Sequence, residues 1–158
     1  MANINYMVGD ALKHTNTMGR VYVCHCVNTH KLWGSGFVLA INKISDEPRN
    51  RYLKWSGMLG DIQTVDIGDM IIVNMMAQKN VYPMFPGFPP VRYEALYECF
   101  LRLEELLREG DVVSLPRIAC DRAGASWSKV EKIISKALAT VNNEIYVYDL
   151  PGPTTYNP

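Results

Sequence analysis

The stretch that decides the fold of this chain is His25-Cys26-Val27-Asn28-Thr29-His30-Lys31-Leu32-Trp33-Gly34-Ser35-Gly36-Phe37-Val38-Leu39-Ala40. An apolar run over residues 21–27 leads into it and predicts a buried strand. A polar turn follows at residues 28–31, and two glycines then open a segment with apolar residues at helical spacing. A strand, a glycine turn and a helix start together present backbone N–H groups to an anion. The stretch therefore predicts an anion-binding loop at a strand exit, where open α/β sheets hold ligands.

Composition limits the classes of protein to consider. The chain has 158 residues, of which 48% are hydrophobic and 20% charged, and its formal net charge is zero. These values predict one globular domain and disfavour binding to nucleic acid as a polymer. No apolar stretch is long enough to span a bilayer, and the first four residues lack the features of a signal peptide. The expectation is a cytoplasmic protein without a membrane partner.

The four cysteines, at positions 24, 26, 99 and 120, are expected to be reduced thiols. Cys24 and Cys26, with His25 and His30 nearby, suggest a zinc site. No second close pair completes a set of four ligands, so buried apolar thiols are the favoured interpretation. No metal or cofactor is expected. His14, in an irregular polar segment, is assigned to solvent.

Strands and helices are predicted to alternate along the chain. The predicted strands are residues 4–8, 21–27, 62–67, 70–76, 112–115 and 145–150, and the predicted helices start at 36, 49, 91 and close to 126. Gly68-Asp69 joins two of the strands and predicts a hairpin, with its first strand at an edge. The helix at 91–108 has the clearest apolar stripe, and Ser126 or Ser128, the latter with Glu131, caps the last helix. The alternation predicts a three-layer α/β domain with a mixed sheet.

Four prolines within residues 77–90 predict a long ordered loop or flap. Its aromatic residues, Tyr82, Phe85 and Phe88, either cover a ligand or pin the loop to the body of the domain. The C-terminal tail, residues 151–158, is Pro-rich.

The pattern H-x-x-N followed by W-G-x-G-F-x-x-A, at residues 25–40, resembles the first phosphate loop of macro domains of the small bacterial and phage type. Residues 73–78, 89–96 and 147–150 resemble further segments of that family. Residues 115–120, with Ala123-Gly124 and Trp127, resemble its second phosphate loop. The resemblance covers residues 4–150, and it implies a three-layer α/β/α macro domain with a mixed central sheet in residues 1–150.

Because macro domains bind ADP-ribose, the resemblance implies ADP-ribose or a derivative as the ligand, and an ADP-ribosylated protein as a possible partner. Asp10 would accept a hydrogen bond from the adenine amine. The implied binding residues are Gly9, Asp10, Asn28, Trp33, Gly34, Ser35, Gly36, Phe37, Ala119, Cys120, Asp121, Arg122, Ala123 and Gly124.

The chain also departs from the family pattern. Relatives usually carry glycine where this chain has Ala119, Asp121 and Ala125. Asp121 would add negative charge near a diphosphate, and Arg122 would either neutralise that charge or contact the phosphates. Met75, Met76 and Ala123 occupy the stretches that hold a catalytic lysine and aspartate in one branch, so that lysine-based route is unavailable.

The spacing of His25 and Trp33 resembles a branch that hydrolyses ADP-ribose 1″-phosphate to ADP-ribose and phosphate. This resemblance implies that His25 transfers protons and that Asn28 orients the ribose or a water. Strict strand alternation puts the two side chains on opposite faces unless the strand ends or bulges at Cys26 or Val27. A core histidine is the alternative for His25, with His30 in reserve. A non-catalytic ADP-ribose reader and a hydrolase of ADP-ribosyl esters on proteins are the alternative functions.

Overall fold

A six-stranded sheet between two helical layers forms the domain, in a computed structural model that describes residues 1–34, 36–80, 89–120 and 124–151. The strands are β1 (Asn3–Val8), β2 (Val21–Asn28), β3 (Ile62–Asp66), β4 (Ile71–Gln78), β5 (Val112–Leu115) and β6 (Glu144–Asp149). The helices are α1 (Phe37–Asn42), α2 (Glu47–Leu53), α3 (Tyr93–Glu104) and α4 (Trp127–Ala137), with a short 3-10 helix at Ala11–Lys13. The predicted elements are therefore present.

The sheet has the order β1-β6-β5-β2-β4-β3. All neighbouring strands are parallel except β3, which pairs antiparallel with β4 at one edge. This confirms the mixed sheet, the hairpin and the edge position of its first strand. Strands β2 and β4, in the interior of the sheet, are buried on both faces, which explains why they read as nearly unbroken apolar runs.

Two apolar cores lie on opposite faces of the sheet. On one face, α3 and α4 pack through residues such as Phe100 and Ile134. On the other face, α1, α2 and the 3-10 helix pack through Ile41, Tyr52 and Leu12. The predicted three-layer α/β/α architecture is confirmed.

The predicted start of α3 is wrong because of tertiary hydrogen bonding, and the structure decides between the two predicted starts of α4. Helix α3 begins at Tyr93 rather than at residue 91, because Val91 forms a β-bridge with Gln78 and the Arg92 N–H donates to the Ala77 carbonyl at 2.7 Å. Helix α4 begins directly after Ser126, so a capping box starting at Ser128 does not form.

The predictions for Tyr82, Phe85 and Phe88, and for residues 152–158 of the Pro-rich tail, fall outside the described residues. In the parts that are described, none of the helices has the length and apolar character needed to cross a bilayer.

Candidate functional site

The carboxyl ends of β2 and β5 form the crevice that the topology offers to a ligand. The two strands are parallel neighbours. The chain after β2 continues to α1 on one face of the sheet, whereas the chain after β5 continues to α4 on the other. Such a switch point leaves a crevice between the two connections. The described parts of both loops that were predicted to bind phosphate, one after β2 and the other after β5, therefore lie at the same edge of the sheet.

The Asn28 amide organises the turn after β2. Its Oδ1 accepts hydrogen bonds from the backbone N–H groups of His30 and Leu32, both at 3.1 Å, and its Nδ2 donates to the Leu32 carbonyl at 2.9 Å. Asn28 is only 5% exposed. Lys31 adopts a positive φ of 61° and donates to the carbonyls of Tyr52, Leu53 and Trp55. The turn is thus held from within by an amide and from outside by an ammonium group.

Buried aromatic side chains anchor the glycine loop that follows. Trp33 and Phe37 are both buried in the α1/α2 core, and the Trp33 Nε1–H donates to the Asn42 Oδ1 at 3.0 Å. Gly34 and Gly36, between these anchors, have open space where a Cβ would stand. Gly36 has a φ of +77°, which favours glycine. Backbone at these two positions is accessible to a ligand, while the predicted binding residues Trp33 and Phe37 support the loop from below. Ser35 lies outside the described residues.

His25 lies beneath this loop, in the same core. It is 3% exposed, and its ring meets Trp33 edge-on at 5.2 Å between centroids and Phe37 at 6.0 Å. Its Nε2 is 2.5 Å from the Asn74 Oδ1. Because the Asn74 Nδ2 donates to the Pro48 carbonyl, Oδ1 must face the ring, and Nε2 carries the proton. Burial lowers the pKa of His25 to about 4, against the opposing effect of the Asn74 hydrogen bond. The imidazole is therefore neutral at pH 7.

The hydrogen bond of His25 is part of a chain of hydrogen bonds that extends from β4 to β3 and α2. Asn74 on β4 also donates to the Gln63 Oε1 at 3.0 Å, and the Gln63 Nε2 donates to the Arg51 carbonyl on α2. Asn74 lies in the strand that the apolar run at residues 70–76 predicts, and its partners are not apparent from the sequence. A lone polar residue in the apolar run of β4 is the pattern that would have pointed to it.

The register between β2 and β4 slips between Val27 and Asn28, where Ala77 is the additional residue on β4. For His25 and Asn28 to share a pocket, the sequence required β2 itself to end or bulge at Cys26 or Val27. Strand β2 instead continues to Asn28, and the two side chains have different partners. His25 bonds Asn74 in the core, and the Asn28 amide bonds the backbone of its own turn.

The loop after β5 has a tight left-handed backbone. Ala119 has a φ of +62°, and the Ala125 N–H closes the loop by donating to the Ala119 carbonyl at 2.8 Å. Alanine in this conformation fits the expectation that relatives carry glycine there. Burial raises the pKa of the Cys120 thiol to about 11, so it is protonated at neutral pH. Gly124 is exposed. The predicted binding residues Asp121, Arg122 and Ala123 lie outside the described residues.

The predicted adenine end is formed by the chain after β1. The Gly9 N–H donates to the Asp149 carbonyl at 2.8 Å, which ties this end to β6. The Asp10 Oδ1 accepts from the Leu12 N–H at 2.9 Å and caps the 3-10 helix. Asp10 therefore stabilises the 3-10 helix, and it also lies at the carboxyl edge of the sheet.

The assignment of His14 to solvent is wrong. Its ring is partly buried, stacks on Tyr146 at 4.3 Å and has its Nδ1 2.6 Å from the Tyr148 hydroxyl. The two tyrosines alternate along β6 with Ile145 and Val147, which face the α3/α4 core, and so they face the opposite core, where the 3-10 helix packs. Burial lowers the pKa of His14.

Arg117 is a residue near the site that the sequence analysis did not single out. It forms a bidentate ion pair with Asp149, at 2.8 and 3.0 Å, and its guanidinium lies over the rings of Tyr6 and Trp127. The hydrogen bonds to Asp149 raise its pKa. This cluster joins the ends of β1, β5 and β6 and the start of α4.

The cysteine-histidine pattern does not assemble a metal site among the described residues. Cys24 and Cys26 face the α3/α4 core, whereas His25 faces the α1/α2 core. In the parts of the chain that are described, no group of three or more His, Cys, Asp or Glu residues is placed to hold a metal ion. Burial raises the pKa of both Cys24 and Cys26, which keeps the thiols protonated.

A pocket of about 370 Å³ lies beside the turn after β2, at the ends of β2 and β4. We call it the cationic pocket. Its described lining consists of Thr29, His30, Lys79, Asn80, Pro89, Pro90 and Arg92. His30, the reserve candidate for catalysis, lines this pocket together with two basic side chains, Lys79 and Arg92.

Strand β4 offers no lysine for the covalent route of the other macro-domain branch. Met75 and Met76 are both buried, in the α3/α4 core and the α1/α2 core respectively. The range Ile71–Gln78 contains no lysine.

Comparison with known proteins agrees with this architecture. No family model matches the chain. A solved structure of a protein of unknown function from Bacteroides thetaiotaomicron is 33% identical, with a TM-score of 0.87 over 94% of this chain and 99% of that one. A macrodomain protein from Streptomyces coelicolor is 32% identical, with a TM-score of 0.78 over 93% of this chain and 99% of that one.

More distant relatives share the sequence pattern or the fold. The chromodomain-helicase-DNA-binding protein 1-like proteins of Danio rerio and Mus musculus are 25% and 28% identical over 92% and 94% of this chain, which spans only 16% and 18% of their length. Thermosipho africanus DarTG, solved in complex with ADP-ribose, is 14% identical with a TM-score of 0.70 over 94% of this chain and 42% of that one. The identity and near-complete coverage of the Streptomyces protein establish that this chain belongs to the macrodomain family.

Proposed function

We propose that this chain binds ADP-ribose along the carboxyl edge of its sheet and hydrolyses ADP-ribose 1″-phosphate to ADP-ribose and phosphate. The observation that carries the proposal is the open backbone at Gly34 and Gly36, on a loop that buried Trp33 and Phe37 hold in place. Preorganised backbone N–H groups at the start of a helix favour anionic oxygens such as those of a diphosphate. The ADP-ribose held by the fold neighbour from Thermosipho africanus supports this ligand.

In the proposed complex, the ligand follows the order of the strands. The adenine lies at the end of β1, where Asp10 accepts from its amine. The diphosphate spans the loops after β5 and β2, with residues 119–124 on one side and Gly34, Ser35 and Gly36 on the other. The terminal ribose then lies near Asn28 at the end of β2. This path uses the crevice at the switch point between β2 and β5.

In the hydrolytic step, water attacks phosphorus and the bond from phosphorus to the ribose oxygen breaks. The water loses a proton, and the departing ribose oxygen gains one. His25 is the proposed base and proton carrier. Its Nε2 proton is held by Asn74, so Nδ1 is the ring atom that accepts. A pKa of about 4 keeps this atom unprotonated at neutral pH. Asn28 is proposed to act by holding the turn against which the ribose lies.

A non-catalytic ADP-ribose reader is the second candidate function, and one observation favours it. His25 is 3% exposed under Trp33 and Phe37 and is bonded to Asn74, which is the environment of a core histidine. Binding of ADP-ribose requires the two loops and Asp10 but no proton transfer, so a reader uses the same crevice.

Replacement of Gly34 provides the test of the binding site. Because nothing stands within 4 Å of a Cβ at Gly34 and its φ is not positive, Gly34→Ala and Gly34→Val should fold as the parent does. The added methyl groups would occupy space that the phosphates need. We expect ADP-ribose affinity, measured by titration calorimetry, to fall stepwise from glycine to alanine to valine, by at least about tenfold for valine, the equivalent of about 1.4 kcal/mol. If folded Gly34→Val bound ADP-ribose with unchanged affinity, the ligand would not bind at this loop.

Phosphate release separates the hydrolase from the reader. The parent should liberate phosphate from ADP-ribose 1″-phosphate, and His25→Ala should lower the rate by about 10²–10⁴-fold if the ring acts in proton transfer. Rates must be expressed per folded, ADP-ribose-competent molecule, because truncating a buried ring also opens a cavity. A parent that binds ADP-ribose and releases no phosphate above a buffer blank is a reader.

A further inference from the structure

The cationic pocket carries an excess of positive charge that the chain as a whole does not have. Lys79 and Arg92 contribute positive charge to its lining, and none of its seven described lining residues is acidic. The chain has equal numbers of basic and acidic residues, 16 of each. A concave surface lined by one sign of charge concentrates ions of the opposite sign.

The walls of the pocket are tied to the ends of the sheet. The Thr29 N–H donates to the Gln78 carbonyl and the Thr29 hydroxyl to the Lys79 carbonyl, both at 3.0 Å. The Lys79 N–H donates to the Pro90 carbonyl at 3.1 Å. These contacts bring together segments from three parts of the chain, so the polar groups are held in position before a ligand arrives.

Arg92 is held at the rim of this pocket. Its Nη1 is 3.4 Å from the carbonyl oxygens of both Pro89 and Pro90, and its backbone N–H donates to the Ala77 carbonyl. The guanidinium therefore has a defined position, which suits a planar donor for an oxyanion. Lys79 is exposed and adds a mobile charge, and the Thr29 hydroxyl adds a short polar side chain.

The pocket continues the line of the proposed ligand site. The strand order places β1, β6, β5, β2 and β4 side by side, with their carboxyl ends at one edge. Asp10 follows β1, and the two loops follow β5 and β2. The pocket lies at the next step, between the ends of β2 and β4, and shares the turn at Thr29 and His30 with the glycine loop. A ligand with its adenine at β1 therefore reaches the pocket with its opposite end.

We infer that the cationic pocket binds the anionic group carried by the terminal ribose, and that this chain selects a phosphate monoester there over unsubstituted ADP-ribose. The inference rests on the proposed function, because that function sets the direction of the ligand along the sheet edge. The pocket is distinct from the backbone sites at Gly34 and Gly36, since its donors are side chains of Lys79 and Arg92.

The test compares affinities for ADP-ribose and for ADP-ribose 1″-phosphate in the parent, Lys79→Gln and Arg92→Gln. Lys132→Gln and Arg49→Gln are the matched controls, because both residues are exposed on helices away from the pocket. The phosphate ester is measured by stopped-flow competition against bound ADP-ribose, before turnover becomes significant. Inorganic phosphate, titrated with and without saturating ADP-ribose, is the second probe and separates a free-phosphate site from one that needs the ribose. Urea unfolding checks that Arg92→Gln keeps its fold.

We expect the parent to bind the phosphate ester more tightly than ADP-ribose. Each pocket variant should reduce that preference by about three- to tenfold, and the reduction should shrink at high salt because the charges are partly solvated. ADP-ribose affinity should stay within about twofold of the parent in both pocket variants, because removing an exposed charge has only a modest cost. The two control variants should change the affinity for neither ligand.

Two results would overturn the inference while leaving the proposed binding function intact. One is equal affinity of the parent for the two ligands, and the other is a preference that survives in both pocket variants. Phosphate binding that is lost in Lys79→Gln but competes with ADP-ribose would also contradict it, since the pocket would then overlap the ribose site. Failure of the parent to bind ADP-ribose at all would instead remove the proposed function, and the inference with it.

Discussion

The buried imidazole of His25 should make the stability of this domain depend on pH between about 4 and 6.5. An unfolded histidine titrates near 6.5, whereas burial lowers the pKa of His25 to about 4 in the folded chain. Below pH 6.5 the unfolded chain gains a proton that the folded chain does not accept. The free energy of unfolding must therefore fall as the pH is lowered through this interval, and it must be independent of this group at pH 7 and above.

The size of the effect follows from the two pKa values. They differ by about 2.5 pH units, and each unit corresponds to 1.36 kcal/mol, so acidification from pH 7 to pH 4 should cost about 3 kcal/mol of stability through His25 alone. The slope should approach about 1.4 kcal/mol per pH unit near pH 5, where one proton separates the two states. Such a loss is a large part of the stability of a typical domain, about 5–15 kcal/mol.

Urea unfolding of the parent and of His25→Gln, at intervals from pH 4 to pH 8, measures this slope. Carboxylates titrate in the same range, but their contribution is common to both proteins and cancels in the difference. His14→Gln is the matched control, because burial also lowers the pKa of His14 and the two contributions must be separated. Parallel curves for the parent and His25→Gln would refute the burial argument, and they would mean that the folded chain admits a proton to this ring.

The same pKa gives a kinetic expectation for the proposed hydrolase. If His25 is the base, kcat/KM for ADP-ribose 1″-phosphate should stay level from neutral pH down to about pH 5 and fall as the ring is protonated near pH 4. A fall centred on the ordinary histidine pKa would assign the base to another group.

Substitutions at Ala119, Ala125 and Asp10 give further expectations for stability and binding. Ala119→Gly should stabilise the domain by about 0.5–1 kcal/mol in urea unfolding, because the left-handed conformation costs alanine roughly 1–2 kcal/mol and the extra freedom of unfolded glycine offsets part of that gain. Ala125→Gly, at a buried position with ordinary φ, should destabilise by about 1 kcal/mol, and equal losses in both variants would contradict this account. Asp10→Ala should cost about 1 kcal/mol of stability through loss of the cap on the Leu12 N–H, whereas Asp10→Asn keeps a capping oxygen and should unfold as the parent does. In Asp10→Asn the amide oxygen keeps the cap and an NH2 donor replaces the second carboxylate oxygen, so ADP-ribose affinity measured in this variant reports on the loss of that charged acceptor without loss of the cap. A drop in stability for this variant would show that the cap depends on the charge.

Much of the fold was predictable because its elements have strong local patterns. The apolar runs that became β2 and β4 are long, and the Gly68-Asp69 connection predicted the hairpin. The start of α3 was missed because Val91 pairs with Gln78, a contact that helix periodicity does not contain. The same limit applies to His14, whose partners Tyr146 and Tyr148 lie more than a hundred residues along the chain.

The candidate site was likewise predictable only in part from the sequence. The spacing of Gly34 and Gly36 after a buried strand was sufficient to predict an exposed loop, since a glycine turn is a local property of the backbone. The environment of His25 was left open between a catalytic and a core position. Its burial and its bond to Asn74, 49 residues away, depend on how β2 and β4 pair.

The local sequence pattern thus determined the strands and helices, the layers they form and the glycine loop, because each of these depends on residues within a few positions of one another. The sheet order could not be read from spacing, because it depends on which strands pack best when all of them are present. That order sets β2 between β5 and β4, and so it creates both the crevice and the cationic pocket, which joins Thr29, Lys79 and Arg92 from three separate segments. It also sets the pKa of His25, because desolvation is imposed by side chains that become neighbours only in the folded domain.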